Sequence, residues 1–230
     1  MPMRIEDKWP FDDPRKLQLF STNTPNGLKV SCALEELELP YEPHLINIMK
    51  DDQHTDAFRT ISPNGKIPAI VDPEGPGGER LELMESGAIL LHLAEKTGKL
   101  LPSHPVKRLK TLQWVFFQVG HIGPMLGQFG HFHKFARGKT ADTYALERYQ
   151  NETKRLLGVL ETHLADGRDY LMGDLTIADF AIFPWLQGLV GFYEAGDMVG
   201  WGELEHVPTF LKRCMARPSY ERGKDVCAPG

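Results

Sequence analysis

Residues 62–72 read Ser62-Pro63-Asn64-Gly65-Lys66-Ile67-Pro68-Ala69-Ile70-Val71-Asp72. The polar Pro-Asn-Gly turn of this stretch leads into an apolar run, 67–71, that predicts a β-strand. A cis peptide bond between Ile67 and Pro68 would turn the Ile67 backbone outward, where it can pair with an extended peptide ligand. The stretch therefore predicts a strand that opens beside a binding site.

The chain before this stretch has the pattern of a strand, a helix and a second strand. Leu17–Ser21 is short and apolar, Gly27–Leu37 has helical spacing, and His44–Ile48 is apolar again. This order predicts a βαβ unit. Residues 1–16 are polar and interrupted by prolines, so we interpret them as a surface arm that a partner could order.

The chain after this stretch predicts a β-hairpin and then only helices. Pro73–Arg80 is rich in glycine and proline and leads into Leu81–Met84. Ser86 suits the N-cap of a helix that runs to about Thr97. Beyond residue 101 we find long helical patterns such as Lys107–Val119 and Ala141–Leu164.

These elements predict an α+β fold. A mixed four-stranded sheet with helices comes first, and an all-α bundle follows. We expect an N-terminal arm at residues 1–16, a first domain at 17–101 and a helical domain at 106–230.

Composition limits the kinds of partner. The chain has 230 residues, 41% of them hydrophobic and 25% charged, with a formal net charge of -5. Such a chain has no overall positive field to attract nucleic acid or an anionic membrane. It also has no apolar run that approaches the length of roughly 18 residues needed to span a bilayer. We therefore expect a cytoplasmic protein that binds neither nucleic acid nor a membrane.

Two short segments carry residues suited to a small zwitterionic ligand. Thr24 and Asn26 supply neutral polar groups at a helix N-terminus, where a thiolate is stabilised; the alternative is that they only cap the helix. Ser86, at the start of another helix, suits a carboxylate, and Glu85 suits an ammonium group. Singly, Ser86 is equally well an N-cap and Glu85 a solvated charge.

Several motifs together resemble the glutathione site of nu-class glutathione transferases. They are Thr24-Pro25-Asn26-Gly27, the 62–72 stretch, Glu85-Ser86-Gly87-Ala88-Ile89 and, in the helical part, Leu112-Gln113-Trp114, Gly123-Pro124-Met125-Leu126-Gly127-Gln128 and Glu147-Arg148-Tyr149-Gln150. The helical motifs are similar to those of bacterial disulfide-bond oxidoreductases and their fungal relatives. The resemblance covers residues 17 to about 220 and implies a thioredoxin-like N-terminal domain in a homodimer.

The resemblance also implies a role for each candidate residue. Thr24 and Asn26 would contact the glutathione sulfur. The cysteinyl and glycyl parts would be held by Lys66 and the backbone of Ile67 before cis Pro68. The remaining contacts implied are those of Glu85 and Ser86 with the γ-glutamyl end, of Gln53 with a further part of glutathione, and of Arg148 with glutathione across the dimer. For Arg148, a solvated surface charge is an equal alternative.

The implied activity is a glutathione-dependent disulfide reductase and transferase acting on small disulfides or electrophiles. The turn before the first long helix has no cysteine, and Cys32 lies among apolar neighbours. The reactive sulfur would therefore come from glutathione itself, and two glutathione molecules or glutathione disulfide would occupy the site. The alternatives are ordinary conjugation of electrophiles and a non-catalytic glutathione-binding regulatory protein.

The remaining motifs predict structure or an acceptor pocket, with glutathione as the only cofactor. Thr176 and Asp179 form a capping-box pattern at the start of a buried helix. The aromatic stretch 128–135 could line a pocket for the second substrate. His131 and His133 within it also suggest metal ligands, but no third ligand is evident, so we expect no metal.

Overall fold

The computed structural model describes residues 3–139 and 141–229. The chain divides into two compact units. Met1–Lys99 together with Arg217–Gly230 forms the first, and Leu100–Ala216 forms the second.

The described part of the first unit is built on a four-stranded mixed sheet. Its strands are β1 (Leu17–Ser21), β2 (Tyr41–Leu45), β3 (Ala69–Asp72) and β4 (Leu81–Met84). They lie in the order β2-β1-β3-β4, with β1 parallel to β2 and antiparallel to β3, and with β3 antiparallel to β4. This arrangement confirms the predicted βαβ unit followed by a β-hairpin.

Two strands differ in extent from the prediction. β2 ends before Ile48 because Asn47 turns the chain: its side chain accepts a hydrogen bond from the Met49 N–H at 3.0 Å and caps a short 3-10 turn. β3 begins at Ala69 instead of Ile67. Pro68 has no N–H to donate to a ladder, so pairing starts one residue after it.

Four helices of the first unit lie before, between and after its strands along the chain. They are α1 (Ile5–Lys8), α2 (Pro25–Leu37), α3 (Asp56–Ile61) and α4 (Ser86–Thr97). α2 begins two residues before the predicted Gly27 because Thr24 is its N-cap and Pro25 occupies the first helical position, where a missing N–H costs nothing. α4 spans the predicted residues, but the prediction that Ser86 is its N-cap is wrong: Glu85 occupies the N-cap position and Ser86 is the first helical residue.

The N-terminal arm packs against its own unit. Ile5 on α1 is buried, and Trp9 and Phe11 pack against the cluster that contains Phe20 and Phe58. Trp9 meets both of those rings edge-on, with centroids 6.3 and 6.4 Å away. Burial of these apolar side chains orders the described part of the arm without a partner.

The second unit is helical in its described part. Its helices are α5 (Pro105–Phe117), α6 (Gly123–Gly130), α7 (Tyr144–Leu164), α8 (Ile177–Gln187) and α9 (His206–Met215). π-Helical turns follow α5, α6 and α8. Thr176 and Asp179 form the predicted capping box on the buried helix α8. No helix within the described ranges is both long and apolar enough to cross a membrane.

The C-terminal segment belongs to the first unit, not to the helical domain predicted at 106–230. Its helix α10 (Pro218–Gly223) packs on α2. Glu36 on α2 accepts hydrogen bonds from Arg217 Nη2 at 2.5 Å and from Ser219 Oγ at 2.6 Å. The Ser31 hydroxyl donates to the Gly223 carbonyl at 2.9 Å. These contacts place the segment beside a helix almost two hundred positions earlier.

Candidate functional site

Most candidate residues meet at one edge of the sheet. In the antiparallel ladders Phe20 lies opposite Ala69, and Ala69 lies opposite Met84. The carboxyl ends of β1 and β4 and the amino end of β3 therefore share an edge. The turn before α2, the Ile67-Pro68 pair and the turn before α4 all leave the sheet there.

The turn between β1 and α2 places two neutral polar residues at a helix N-terminus. The Thr24 side chain accepts a hydrogen bond from the Gly27 N–H at 3.4 Å, and Asn26 is the second helical residue. Gly27 is required because a Cβ there would lie 1.9 Å from the Thr22 carbonyl oxygen. The close approach of helix and strand leaves the partial positive end of α2 at the sheet edge.

The cysteine on the same helix is unsuited to chemistry. Cys32 is fully buried, and burial raises the pKa of its thiol to about 12. Almost none of it is thiolate near neutral pH, and the thiolate is the nucleophilic form. Cys32 is thus a core residue, in keeping with its apolar neighbours in the sequence.

The loop before β3 is held by a reciprocal pair of hydrogen bonds. Ser62 Oγ donates to the Lys66 carbonyl at 2.8 Å and accepts from the Lys66 N–H at 3.4 Å. The Ile67-Pro68 peptide bond is cis, the isomer that would turn the Ile67 backbone outward. The Lys66 side chain extends from this loop and is exposed. The loop thus presents a cation next to a main-chain segment that lies outside the β-ladder.

Gln53 lies against the same loop and has an unsatisfied acceptor. A Cβ at Gly65 would be 3.2 Å from the Gln53 carbonyl oxygen. Gln53 is only 8% exposed, its Nε2 donates to the Ile48 carbonyl at 3.5 Å, and its Oε1 has no hydrogen-bond partner among the described residues. A buried amide oxygen left unpaired costs about 1–3 kcal/mol. A ligand N–H would satisfy it.

The turn between β4 and α4 places Glu85 in an unusual backbone conformation. Its φ is 71° and its ψ is 112°, a region that side chains with a Cβ rarely adopt and that costs about 1–3 kcal/mol. Ser86 follows as the first residue of α4 and is 7% exposed. A carboxylate held at a strained position beside a helix N-terminus is typical of a binding site.

Lys29 is a residue of this region that the sequence analysis missed. It lies on α2, is 1% exposed, and its Nζ donates to Ser86 Oγ at 3.2 Å. Burial lowers the pKa of Lys29 to about 7, and the negative charge of Glu85 acts in the opposite direction. The available signal was a lysine three positions after Asn26 with apolar residues on both sides.

Arg148 is the candidate that lies in the second unit. It is on α7 and lines a surface cavity of about 770 Å³ with Met125, Tyr144 and Arg155. The lining also includes Glu147 and Glu152, so the cavity carries positive and negative charges beside its apolar groups. The other candidates all belong to the first unit.

The histidines of the aromatic stretch have partners other than a metal. His133 Nε2 lies 3.1 Å from the Tyr193 carbonyl oxygen, and the His131 ring packs edge-on against Phe132. In the described ranges no group of three or more His, Cys, Asp or Glu residues is placed to hold a metal ion.

Comparison with known protein families identifies the class of protein. The N-terminal domain of glutathione S-transferases matches residues 19–100, and the C-terminal domain of the same family matches residues 143–213. The chain belongs to the glutathione S-transferase family. The predicted fold, a thioredoxin-like domain followed by an all-α domain, is confirmed.

Individual relatives are similar over most of their length. The disulfide-bond oxidoreductase YfcG of Escherichia coli (strain K12) is 49% identical over 172 residues, which are 74% of this chain and 79% of the relative. A glutathione transferase of Burkholderia graminis has 52% identity and a TM-score of 0.94, covering 96% and 92% of the two chains, and binds two glutathione molecules per subunit. One from Pseudomonas putida has 50% identity and a TM-score of 0.95, covering 98% and 97%, and binds one glutathione disulfide per subunit.

Proposed function

We propose that this protein is a glutathione-dependent disulfide-bond reductase and glutathione transferase that uses the thiolate of its ligand. One observation carries the proposal. The polar turn at the start of α2 contains Thr24 and Asn26 but no cysteine, and Cys32 on that helix is buried with a raised pKa. The reactive sulfur must therefore arrive with glutathione.

We assign the first part of the ligand to the residues around α2 and β3. Thr24 and Asn26 orient the glutathione sulfur, and the N-terminus of α2 helps to lower its pKa. The Ile67 backbone, held before cis Pro68, and the Lys66 side chain bind the cysteinyl and glycyl parts. The exposure of Lys66 and the position of Ile67 outside the ladder support these roles.

We assign the other end of the ligand to three more residues. Glu85 binds the ammonium group of the γ-glutamyl residue and Ser86 its carboxylate. Gln53 accepts a hydrogen bond from a ligand N–H at its buried Oε1. The strained backbone of Glu85 and the unsatisfied Gln53 acceptor support these assignments.

The reduction takes place in two exchange steps. One glutathione thiolate attacks a sulfur of the disulfide substrate, forms a mixed disulfide and expels the other sulfur as a thiolate, which takes a proton from water. A second glutathione thiolate then attacks the glutathione sulfur of the mixed disulfide and releases the second substrate thiol. Two glutathiones are oxidised to one glutathione disulfide as one substrate disulfide is reduced. This fits the bound states of the two similar bacterial transferases.

The active form is a homodimer in this proposal. Val106, Leu109 and Phe116 on α5 are 55%, 66% and 68% exposed, and their spacing places them on one face of the helix. An exposed apolar face of this kind favours a protein interface. Arg148 would then reach glutathione across the dimer, as the family resemblance implies.

The proposed location is the cytoplasm. Cys32, Cys214 and Cys227, all within the described ranges, form no disulfide, as is usual for proteins of that compartment. The cytoplasm also keeps glutathione largely reduced, as the two exchange steps require.

Steady-state turnover tests the activity. Reduction of hydroxyethyl disulfide by glutathione is followed through glutathione reductase and NADPH, for the wild type and for Thr24→Ala, Asn26→Ala and Cys32→Ser. We expect wild-type turnover that Cys32→Ser retains and that each of the other two lowers about ten- to hundredfold, the value of one hydrogen bond to a charged group.

A matched variant separates chemistry from helix capping. Thr176 caps α8 as Thr24 caps α2, so Thr176→Ala loses a cap elsewhere and should retain its specific turnover. Loss of turnover in a Cys32→Ser protein that keeps the melting temperature of the wild type would overturn the ligand-thiol mechanism. Conjugation of aryl halides without disulfide reduction would indicate an ordinary transferase. Glutathione binding with neither activity would indicate a regulatory protein.

A further inference from the structure

Lys29 is a buried lysine directly behind the proposed γ-glutamyl subsite. It is 1% exposed, and its neighbours on α2, Leu28 and Val30, are buried as well. Lysine is almost never fully buried unless it is paired, because removing an ammonium group from water is costly. The buried ammonium group of Lys29 therefore needs a polar or charged partner that offsets the free-energy cost of its burial.

The hydrogen bond from Lys29 reaches the residue that we assign to the ligand carboxylate. Nζ donates to Ser86 Oγ at 3.2 Å, across the contact between α2 and α4. A serine hydroxyl has one donor and two acceptor positions. When Lys29 fills an acceptor position, the Ser86 O–H remains available to donate to an anion.

The positive charge of Lys29 also favours an anion next to the Ser86 hydroxyl. A positive charge behind Ser86 attracts a carboxylate on the other side of that hydroxyl, and the attraction is stronger in a poorly solvated site than in water. The pKa of Lys29 is lowered to about 7 because burial outweighs the opposing effect of the negative charge of Glu85. A bound carboxylate would act in the same direction as Glu85 and favour the charged form.

We propose that Lys29 is a positioning residue that makes the site selective for a free α-carboxylate on the γ-glutamyl end of glutathione. It holds the Ser86 hydroxyl as a donor and supplies a buried positive charge behind it, without touching the ligand. This inference rests on the proposed function, in which Ser86 binds that carboxylate.

The test compares two ligands in two proteins. KM and kcat for disulfide reduction are measured with glutathione and with an analogue in which the α-carboxylate of the γ-glutamyl residue is a carboxamide. We expect Lys29→Met to raise the KM for glutathione about ten- to hundredfold, the value of one charged hydrogen bond, with kcat within about twofold of the wild type. The carboxamide should impair the wild type strongly and Lys29→Met little, because the two changes remove the same interaction.

Further variants exclude a general structural effect. Lys96 on α4 is another lysine with a buried partner, since its Nζ lies 2.9 Å from Asp72 Oδ2. Lys96→Met should therefore lower the melting temperature and leave the KM for glutathione unchanged. Lys29→Gln keeps a donor without the charge and should give an intermediate KM. It also serves as the second variant if Lys29→Met does not fold.

The outcomes distinguish the two proposals. An unchanged KM in Lys29→Met and Lys29→Gln, or an equal loss with glutathione and its carboxamide, overturns the role of Lys29 while disulfide reduction itself stands. Absence of turnover in the wild type overturns the proposed function. Binding of both ligands by calorimetry would then still decide whether Lys29 selects the carboxylate.

Discussion

Gly223 on α10 lies in direct backbone contact with Cys32 on α2. A Cβ at Gly223 would be 2.9 Å from both the Cα and the N of Cys32, closer than unstrained packing allows. The same glycine accepts the hydrogen bond from Ser31 Oγ at 2.9 Å. The C-terminal segment therefore packs tightly against α2, the helix that begins next to Thr24 and Asn26, and stabilises it.

Gly223→Ala should destabilise the protein. Because the added methyl group meets backbone rather than a flexible side chain, we expect the free energy of unfolding to fall by about 1–3 kcal/mol. Urea unfolding followed by circular dichroism measures this. The control is Gly158→Ala on α7, where a Cβ meets nothing within 4 Å and where alanine should add up to about 1 kcal/mol. A Gly223→Ala protein as stable as the wild type would show that the close contact between Gly223 and the Cys32 backbone does not stabilise the fold.

Glu85→Gly should separate stability from binding. Glycine adopts the conformation of Glu85, with φ at 71°, without strain, so the free energy of unfolding should stay the same or rise by about 1 kcal/mol. Affinity for glutathione should fall at least tenfold, because the carboxylate that binds the ammonium group is lost. Calorimetric titration and thermal unfolding provide the two readouts.

Glu38→Gly is the matched control for that change. Glu38 also has a positive φ, 55°, but it lies at the C-terminus of α2, at the opposite end from Thr24. Its replacement should have a similar effect on stability and none on glutathione affinity. If both variants bind glutathione as the wild type does, Glu85 has no part in the site.

Phe116→Glu should dissociate the proposed dimer. Phe116 is 68% exposed on the apolar face of α5, and a carboxylate buried there would lack a partner. Sedimentation velocity should show a monomer, and the KM for glutathione should rise if Arg148 acts across the interface. The control is Thr209→Glu, at an exposed position of α9. A Phe116→Glu protein that remains dimeric would show that α5 is not the interface.

Glu161→Gln should reduce stability in a pH-dependent way. Glu161 on α7 accepts hydrogen bonds from the N–H groups of Glu205, His206 and Val207, at 2.8–2.9 Å, at the start of α9. Burial alone would raise the pKa of Glu161, but these hydrogen bonds lower it below its ordinary value of 4.5. The variant should lose about 1–3 kcal/mol at pH 7.

The sign of the pH effect follows from the lowered pKa. A carboxyl group whose pKa is depressed in the folded state contributes stability above its unfolded pKa and loses it as the pH falls through the folded value. The difference between wild type and Glu161→Gln should therefore shrink below about pH 4.5. Glu152→Gln, which breaks a surface pair with Arg155, should change stability by less than about 1 kcal/mol at any pH.

Local chemistry was sufficient to predict the elements around the site. The apolar runs of β1 and β4 and the start of α4 at Ser86 agree with the structure. Each depends on residues within a few positions of one another, so turn, cap and proline preferences decide it. The same is true of the capping box at Thr176.

Contacts between distant parts of the chain decided the rest. A lysine three positions after Asn26 is ordinarily solvated, and only the packing of α2 against α4 buries Lys29 next to Ser86. Likewise, no local sequence pattern predicts that the N-terminal arm and the C-terminal helix α10 pack in the first unit. Their positions depend on shape and burial among residues far apart in sequence, and no local pattern encodes these. The family, the sheet and the polar groups at its edge could thus be predicted from local sequence, whereas the buried groups that support them depend on long-range packing.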